Sequence, residues 1–147
     1  MKIRPANPSD IAAWAAMRHR LWPDQDAAEL EREAGDMAGG GPDAAVFVAE
    51  DGDGSLIGFV EVGRRSYAEG GPDGPAAYVE AVFVEAGHRR RGVARALLGA
   101  AERWGRSHGL NWLGSDALLD NEVSHAWHRA AGFAEVERLV VFGKPIG

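Results

Sequence analysis

Apolar and polar positions repeat along this 147-residue chain with two periods, near 2 and near 3.6, and the switches between them mark out the elements. "KIRPA" reads as a short strand. "NPSDIAAWAAMRHRLWP" reads as a helix: Asn7 caps it, Pro8 is its first residue and Asp10 its third. Ile11, Trp14, Arg18, Leu21 and Trp22 space one face before Pro23 stops it. Residues 24–36 also favour helix, but they hold six acids, Asp24, Asp26, Glu29, Glu31, Glu33 and Asp36, against the single base Arg32, so this face is solvated or meets a cation. After the break "GGGPD", the runs "AAVFVAE" and "LIGFVEVGRRSY" flank the turn "DGDGS" as a hairpin, and the loop "AEGGPDGPA" leads to the strand "AYVEAVFVE". The next helix carries Val93, Leu97, Leu98, Ala101 and Trp104 as an apolar stripe and ends at Gly109. "NWLGSDA" is a further strand, Asp120 or Asn121 starts the helix "EVSHAWHRAAG", and "FAEVERLVVFG" finishes in extended structure. This order predicts an α+β (mixed α/β) fold in one domain, residues 1–147, with a mixed sheet carrying helices on both faces.

Charge and composition narrow the partners. A formal net charge of −6 and a pI near 5.3 disfavour a surface wrapped on nucleic acid, and "HRRR" is too short, with no interleaved aromatics, to serve as a stacking platform. The chain has no cysteine, so a disulfide framework, a thiolate zinc site and a cysteine nucleophile are all excluded. No segment approaches the roughly twenty apolar residues of a membrane span, and "MKIRPANPSD" lacks a signal core. The expectation is a cytoplasmic protein with no membrane partner.

Candidate chemistry concentrates in "HRRRGVARALL" and the strand before it. A helix N-terminus offers unpaired amides and a positive dipole end; Gly92 leaves them open to approach, Val93 and Ala94 are small, and Arg89, Arg90 and Arg91 stand just upstream. Arginines at this end oppose the macrodipole unless an anion is bound, so the stretch reads as a phosphate cradle. It is neither a Walker loop nor a dinucleotide G-x-G-x-x-G. Glu80 is a lone acid in an apolar strand, and simple alternation puts it on the face of Val82 and Val84. His125 and His128 share a helix face, but no obvious third ligand joins them, and no metal is expected.

The segment Arg89-x-x-Gly92-x-Ala94, after an apolar strand containing an acid, resembles the acetyl-coenzyme A pyrophosphate motif of the GCN5-related N-acetyltransferases. With "RHRLWPD", "GSDALLDNEVSHAWHRAAGF" and "EVER", the chain is most similar within that superfamily to bacterial aminoglycoside 6'-N-acetyltransferases. The resemblance implies a mostly antiparallel mixed sheet with a splayed strand pair, acetyl-coenzyme A as cosubstrate, and acetyl transfer to the 6'-amine by direct attack, conferring resistance. It implies that Val82, Phe83 and Val84 line the coenzyme, the amides of Val82 and Val84 polarising the thioester, and that Arg89 to Ala94, Asn121, Ser124 and His128 complete the coenzyme site. It also implies that Glu80 binds the acceptor ammonium and accepts its proton, and that Trp22, Tyr67, Asp116 and Glu137 line the acceptor pocket. Glu135 shares the strand face of Glu137, and the choice between them stays open. His128 stands where many members carry a tyrosine that protonates the departing thiolate; near its ordinary pKa it is only partly protonated at neutral pH. A homodimer is implied too, to which "RLVVF" would contribute an edge strand. Two other readings keep the fold: an acceptor that is a polyamine, a small metabolite amine or a protein N-terminus, and a coenzyme-binding module without catalysis.

Overall fold

In the computed structural model, which describes all 147 residues, the chain divides into two compact units, Met1–Ser115 and Asp116–Gly147. The first holds strands β1 (Lys2–Pro5), β2 (Ala44–Glu50), β3 (Leu56–Arg65), β4 (Ala76–Val84) and β5 (Leu113–Gly114), with helices α1 (Ile11–Leu21), α2 (Ala27–Met37) and α3 (Val93–Ser107). The second holds α4 (Glu122–Ala130). The sheet order is β1-β2-β3-β4-β5; its first four strands are antiparallel, and β5 runs parallel to β4.

Phe59 and Val60 are adjacent in β3 and both fully buried, so the sheet is covered on both faces, because successive strand residues point to opposite sides. On one face, Trp14, Ala15 and Met17 of α1 and Ala34 of α2 pack with Val46, Val48, Phe59 and Ala81. Against the other lies α3, whose predicted stripe is buried throughout. Each large apolar side chain buried here stabilises the fold by about 1.5–3 kcal/mol.

Polar contacts fix how the first helix enters. Asn7 and Asp10 form a capping box around a single 3-10 turn, Pro8–Asp10, so the regular helix starts three residues later than the cap alone predicts. Arg4 of β1 forks onto Asp10 at 2.7 and 2.9 Å and reaches Glu50 at 2.6 Å. The acidic segment becomes α2, capped by Asp26; its Glu33 lies 3.5 Å from Arg18, while Arg32 bridges Glu29 and Asp36.

Two expectations change and a third, the splayed strand pair, is met. "NWLGSDA" yields only a two-residue strand, so Asp116 lies beyond the sheet rather than at a strand end. The pairing of β4 with β5 stops at Tyr78↔Gly114, which leaves β4 from Val79 onward with one open edge: this is the splay. "FAEVERLVVFG" forms no strand, since a strand needs a neighbour to satisfy its backbone and no segment of this chain pairs with it.

Candidate active site

The centre of the site is a β-bulge. β3 and β4 pair from Gly58↔Val84 to Glu61↔Ala81 and resume at Val62↔Val79, so Glu80 is an extra residue without a partner. The bulge shifts the alternation by one. Tyr78, opposite Gly63, therefore shares the face of Ala81 and Phe83, towards α1 and α2. Glu80 turns to that side as well: a Cβ at Gly63 would meet its Cγ at 3.9 Å, and its carboxylate holds Arg65. The expectation that Glu80 shares a face with Val82 and Val84 is thus overturned, because simple alternation does not survive an inserted residue. Val84 lies opposite Gly58, where Leu97 of α3 packs, and Val82 shares that α3 side.

The open edge of β4 has a definite polarity. The Glu85 amide donates to the Ile57 carbonyl on β3, so alternation aims the amides of Val82 and Val84 the other way, at the open edge. The Val84 carbonyl on that edge accepts from Arg89 Nε at 3.0 Å, which ties the start of the cradle to the splayed strand. The Phe83 side chain stacks on Phe59, 6.2 Å between ring centroids, so only its backbone lies along this edge.

Beyond β4 the chain turns through Ala86–His88, and Arg90 and Gly92 both take positive φ, 64° and 79°. Gly92 caps α3 in the left-handed region, where a side chain is strained, and no neighbouring atom crowds it. Arg89, Arg90, Arg91 and Gly92 are exposed, Val93 is buried and Ala94 is half-buried. Exposed guanidinium groups, a helix N-terminus and an open edge of amides fit a pyrophosphate followed by an amide-bearing arm.

Two Arg–Glu pairs flank the bulge. Glu61, opposite Ala81, accepts from Trp14 Nε1 at 3.0 Å and from Arg18 Nε at 2.8 Å, and Arg18 also donates to the Leu30 carbonyl at 2.9 Å. Burial pushes the Glu61 carboxyl above the ordinary range, and Arg18 works against that shift. The second pair joins Arg65 to Glu80, with Nη2 and Nε both reaching the carboxylate and Nε 3.2 Å from each oxygen. The Arg65 guanidinium lies 3.5 Å over the buried Tyr78 ring. Exposed pairs of this kind are worth only about 0.2–1 kcal/mol, whereas removing one partner of a buried pair costs about 3–5 kcal/mol. Arg65, Tyr78 and the Arg18–Glu61 pair were not anticipated; Glu61 carries the same signal that marks Glu80, a single acid in an apolar run.

The acceptor candidates of the first unit sit on separate elements. Trp22, at the end of α1, is half-buried against the core, with the Arg18 guanidinium 5.1 Å from its ring. Tyr67, in the loop after β3, is 63% exposed.

In the second unit, Asn121 caps α4 by accepting from the Ser124 amide at 3.1 Å. His128 Nδ1 lies 2.7 Å from the Ser124 carbonyl, which can only accept, so Nδ1 carries the proton and a neutral ring presents Nε2 as an acceptor. Burial holds the His128 pKa below its ordinary 6.5; the bond to the Ser124 carbonyl, and after it Asp116, oppose the shift. A neutral imidazole of this tautomer is a poor proton source for a thiolate at pH 7, which weighs against the donor role. His125 Nε2 is likewise engaged by the Leu118 carbonyl at 2.9 Å. Glu135 pairs with Arg138 and Arg129, while Asp116 and Glu137 are exposed.

An open-edged strand leading through a glycine-opened turn into a helix fits the arrangement expected of an acyl-coenzyme A-dependent transferase, and the chain belongs to the acetyltransferase (GNAT) family, whose model matches residues 11–133. Among its relatives, the aminoglycoside N(6')-acetyltransferase type 1 of Stenotrophomonas maltophilia is 42% identical over 147 residues, covering 98% of this chain and 93% of that protein. The enzyme of the same name from Klebsiella aerogenes is 40% identical, covering 98% and 96%. Among solved structures, apo AAC(6')-IG from Acinetobacter haemolyticus superposes with a TM-score of 0.92 at 34% identity, covering both chains completely. AAC(6')-Iy in complex with the bisubstrate analogue CoA-S-monomethyl-acetylneamine gives a TM-score of 0.92 at 32% identity, covering 99% and 98%.

Proposed function

We propose that this protein transfers the acetyl group of acetyl-coenzyme A to the 6'-amine of aminoglycoside antibiotics, conferring resistance. The observation that carries the acceptor assignment is near full-length similarity to enzymes named for that reaction, at up to 42% identity. Residues 1–147 act as one acetyltransferase domain, a reading supported by a family match that crosses the boundary between the two units.

Acetyl-coenzyme A supplies an activated thioester. The arginines and amides at the start of α3 hold its pyrophosphate. The outward amides of Val82 and Val84 polarise the thioester carbonyl, an effect worth about 10² to 10³ in rate at comparable donor sites. Glu80 binds the acceptor ammonium and takes its proton, directly or through water, leaving the neutral amine to attack. The C–N bond forms as the C–S bond breaks, and the second surplus N–H proton of the acylated amine passes, directly or through water, to the departing thiolate, so no proton is needed from His128. Trp22 and Tyr67 pack against sugar rings. A net charge of −6 steers a polycation to the site.

The protein works in the cytoplasm as a homodimer; no helix is long and apolar enough to cross a membrane. The dimer reading rests on Leu139, Val140, Val141 and Phe142, which are 59–89% exposed in a segment with no strand partner. Free thiol released from acetyl-coenzyme A tests the function directly, since the protein has no cysteine of its own. Release with kanamycin or tobramycin, and none with analogues lacking the 6'-amine, is expected. Release with spermidine or a peptide N-terminus alone would replace the acceptor and keep the fold.

A further inference from the structure

We propose that Arg65 is the resident counter-cation of the acceptor site: its guanidinium occupies the Glu80 carboxylate until an ammonium group of the acceptor displaces it. This rests on the reading of Glu80 as the acceptor's ligand. The comparison between the two Arg–Glu pairs beside the bulge carries it. The side chains of Arg18 and Glu61 are each 6% exposed, and Arg18 is further committed to Leu30, so opening that pair strands a buried charge. The side chains of Arg65 and Glu80 are 45% and 37% exposed, so their pair opens into water. Only the second is exchangeable.

The geometry also provides for Arg65 once displaced. Its guanidinium lies on the Tyr78 ring, an attachment that does not involve Glu80, so the cation stays beside the carboxylate and returns when product leaves. A monocation exchanges one charge for another and gains little. A polycation places one ammonium on Glu80 and brings others to further acids, so the resident arginine sets a threshold that favours acceptors with several amines.

Arg65→Gln removes the competitor and keeps a neutral polar side chain. The KM for tobramycin is expected to fall about two- to fivefold, the range in which exposed pairs contribute, with the change carried by KM rather than kcat. The dissociation constant from tryptophan fluorescence should fall in parallel. Arg65→Lys, which keeps the charge but loses the fork, should fall between Arg65→Gln and wild type; it also serves if Arg65→Gln fails to fold by circular dichroism. A tobramycin KM that rises or stays constant, or a loss carried wholly by kcat, would overturn the exchange and make Arg65 a positioning residue for Glu80. If wild type turns over tobramycin and the variants do not bind it more tightly, only the exchange fails. If wild type neither binds nor acetylates tobramycin, the proposed function fails and takes the exchange with it.

Discussion

Glu61 and Glu80 are each a single acid in an apolar strand, yet their surroundings assign them opposite work. Glu61 is enclosed by Trp14 and Arg18, so Glu61→Leu should destabilise the protein by about 3–5 kcal/mol and lower the melting temperature by about 10 °C, as read by calorimetry. Glu80 is exposed at its bulge, so Glu80→Gln should leave the melting temperature within about 2 °C and lower kcat about 100-fold or more in the thiol assay. A large melting shift for Glu80→Gln, or unchanged turnover, would remove its proposed role. The imidazole of His128 gives a pH prediction. Folding lowers its pKa below 6.5, so the unfolded chain takes up the proton first as pH falls. The stability linked to the neutral ring is therefore complete above 6.5 and declines from there down through the lowered folded-state pKa. NMR titration should give a midpoint below 6.5, with the neutral ring protonated at Nδ1; a midpoint above 6.5 would contradict that environment.

Among the elements, β4 and the N-terminus of α3 act as one unit, since Arg89 bonds the carbonyl that ends the strand and Gly92 turns the chain into the helix. Gly92→Ala places a Cβ at φ 79°, in open space, so its cost is backbone strain of about 1–2 kcal/mol rather than a clash. If the amides at this turn hold pyrophosphate, the same change should raise the KM for acetyl-coenzyme A tenfold or more while leaving the aminoglycoside KM within about twofold. Equal effects on both substrates would mean that the turn supports the fold and not the coenzyme. The turn into α3 was legible in the sequence because glycine, small residues and misplaced arginines are local signals. The bulge was not: an inserted residue in β4 is defined only by its pairing with β3, and its consequence, Glu80 facing Arg65 and Tyr78, is visible only once that register is known.

For the molecule as a whole, the apolar run 139–142 is the feature that one chain leaves unresolved energetically, since it exposes large side chains and unpaired backbone together. Sedimentation should show a dimer at micromolar concentration, and Val141→Asp should shift it to monomer; a monomeric wild type would remove the second copy from the proposal. Hydrophobic periodicity and local motifs by themselves determined the helices, the first four strands and their order, and the family, because each is written in residues close along the chain. Only the tertiary structure decided the residue at which β4 parts from β5, the face on which Glu80 lies, the division of two similar acids into a buried pair and an exposed one, and the tautomer of His128. Those depend on register and burial, which arise from contacts between residues as far apart as Arg18 and Glu61 and have no signature in the sequence around either one.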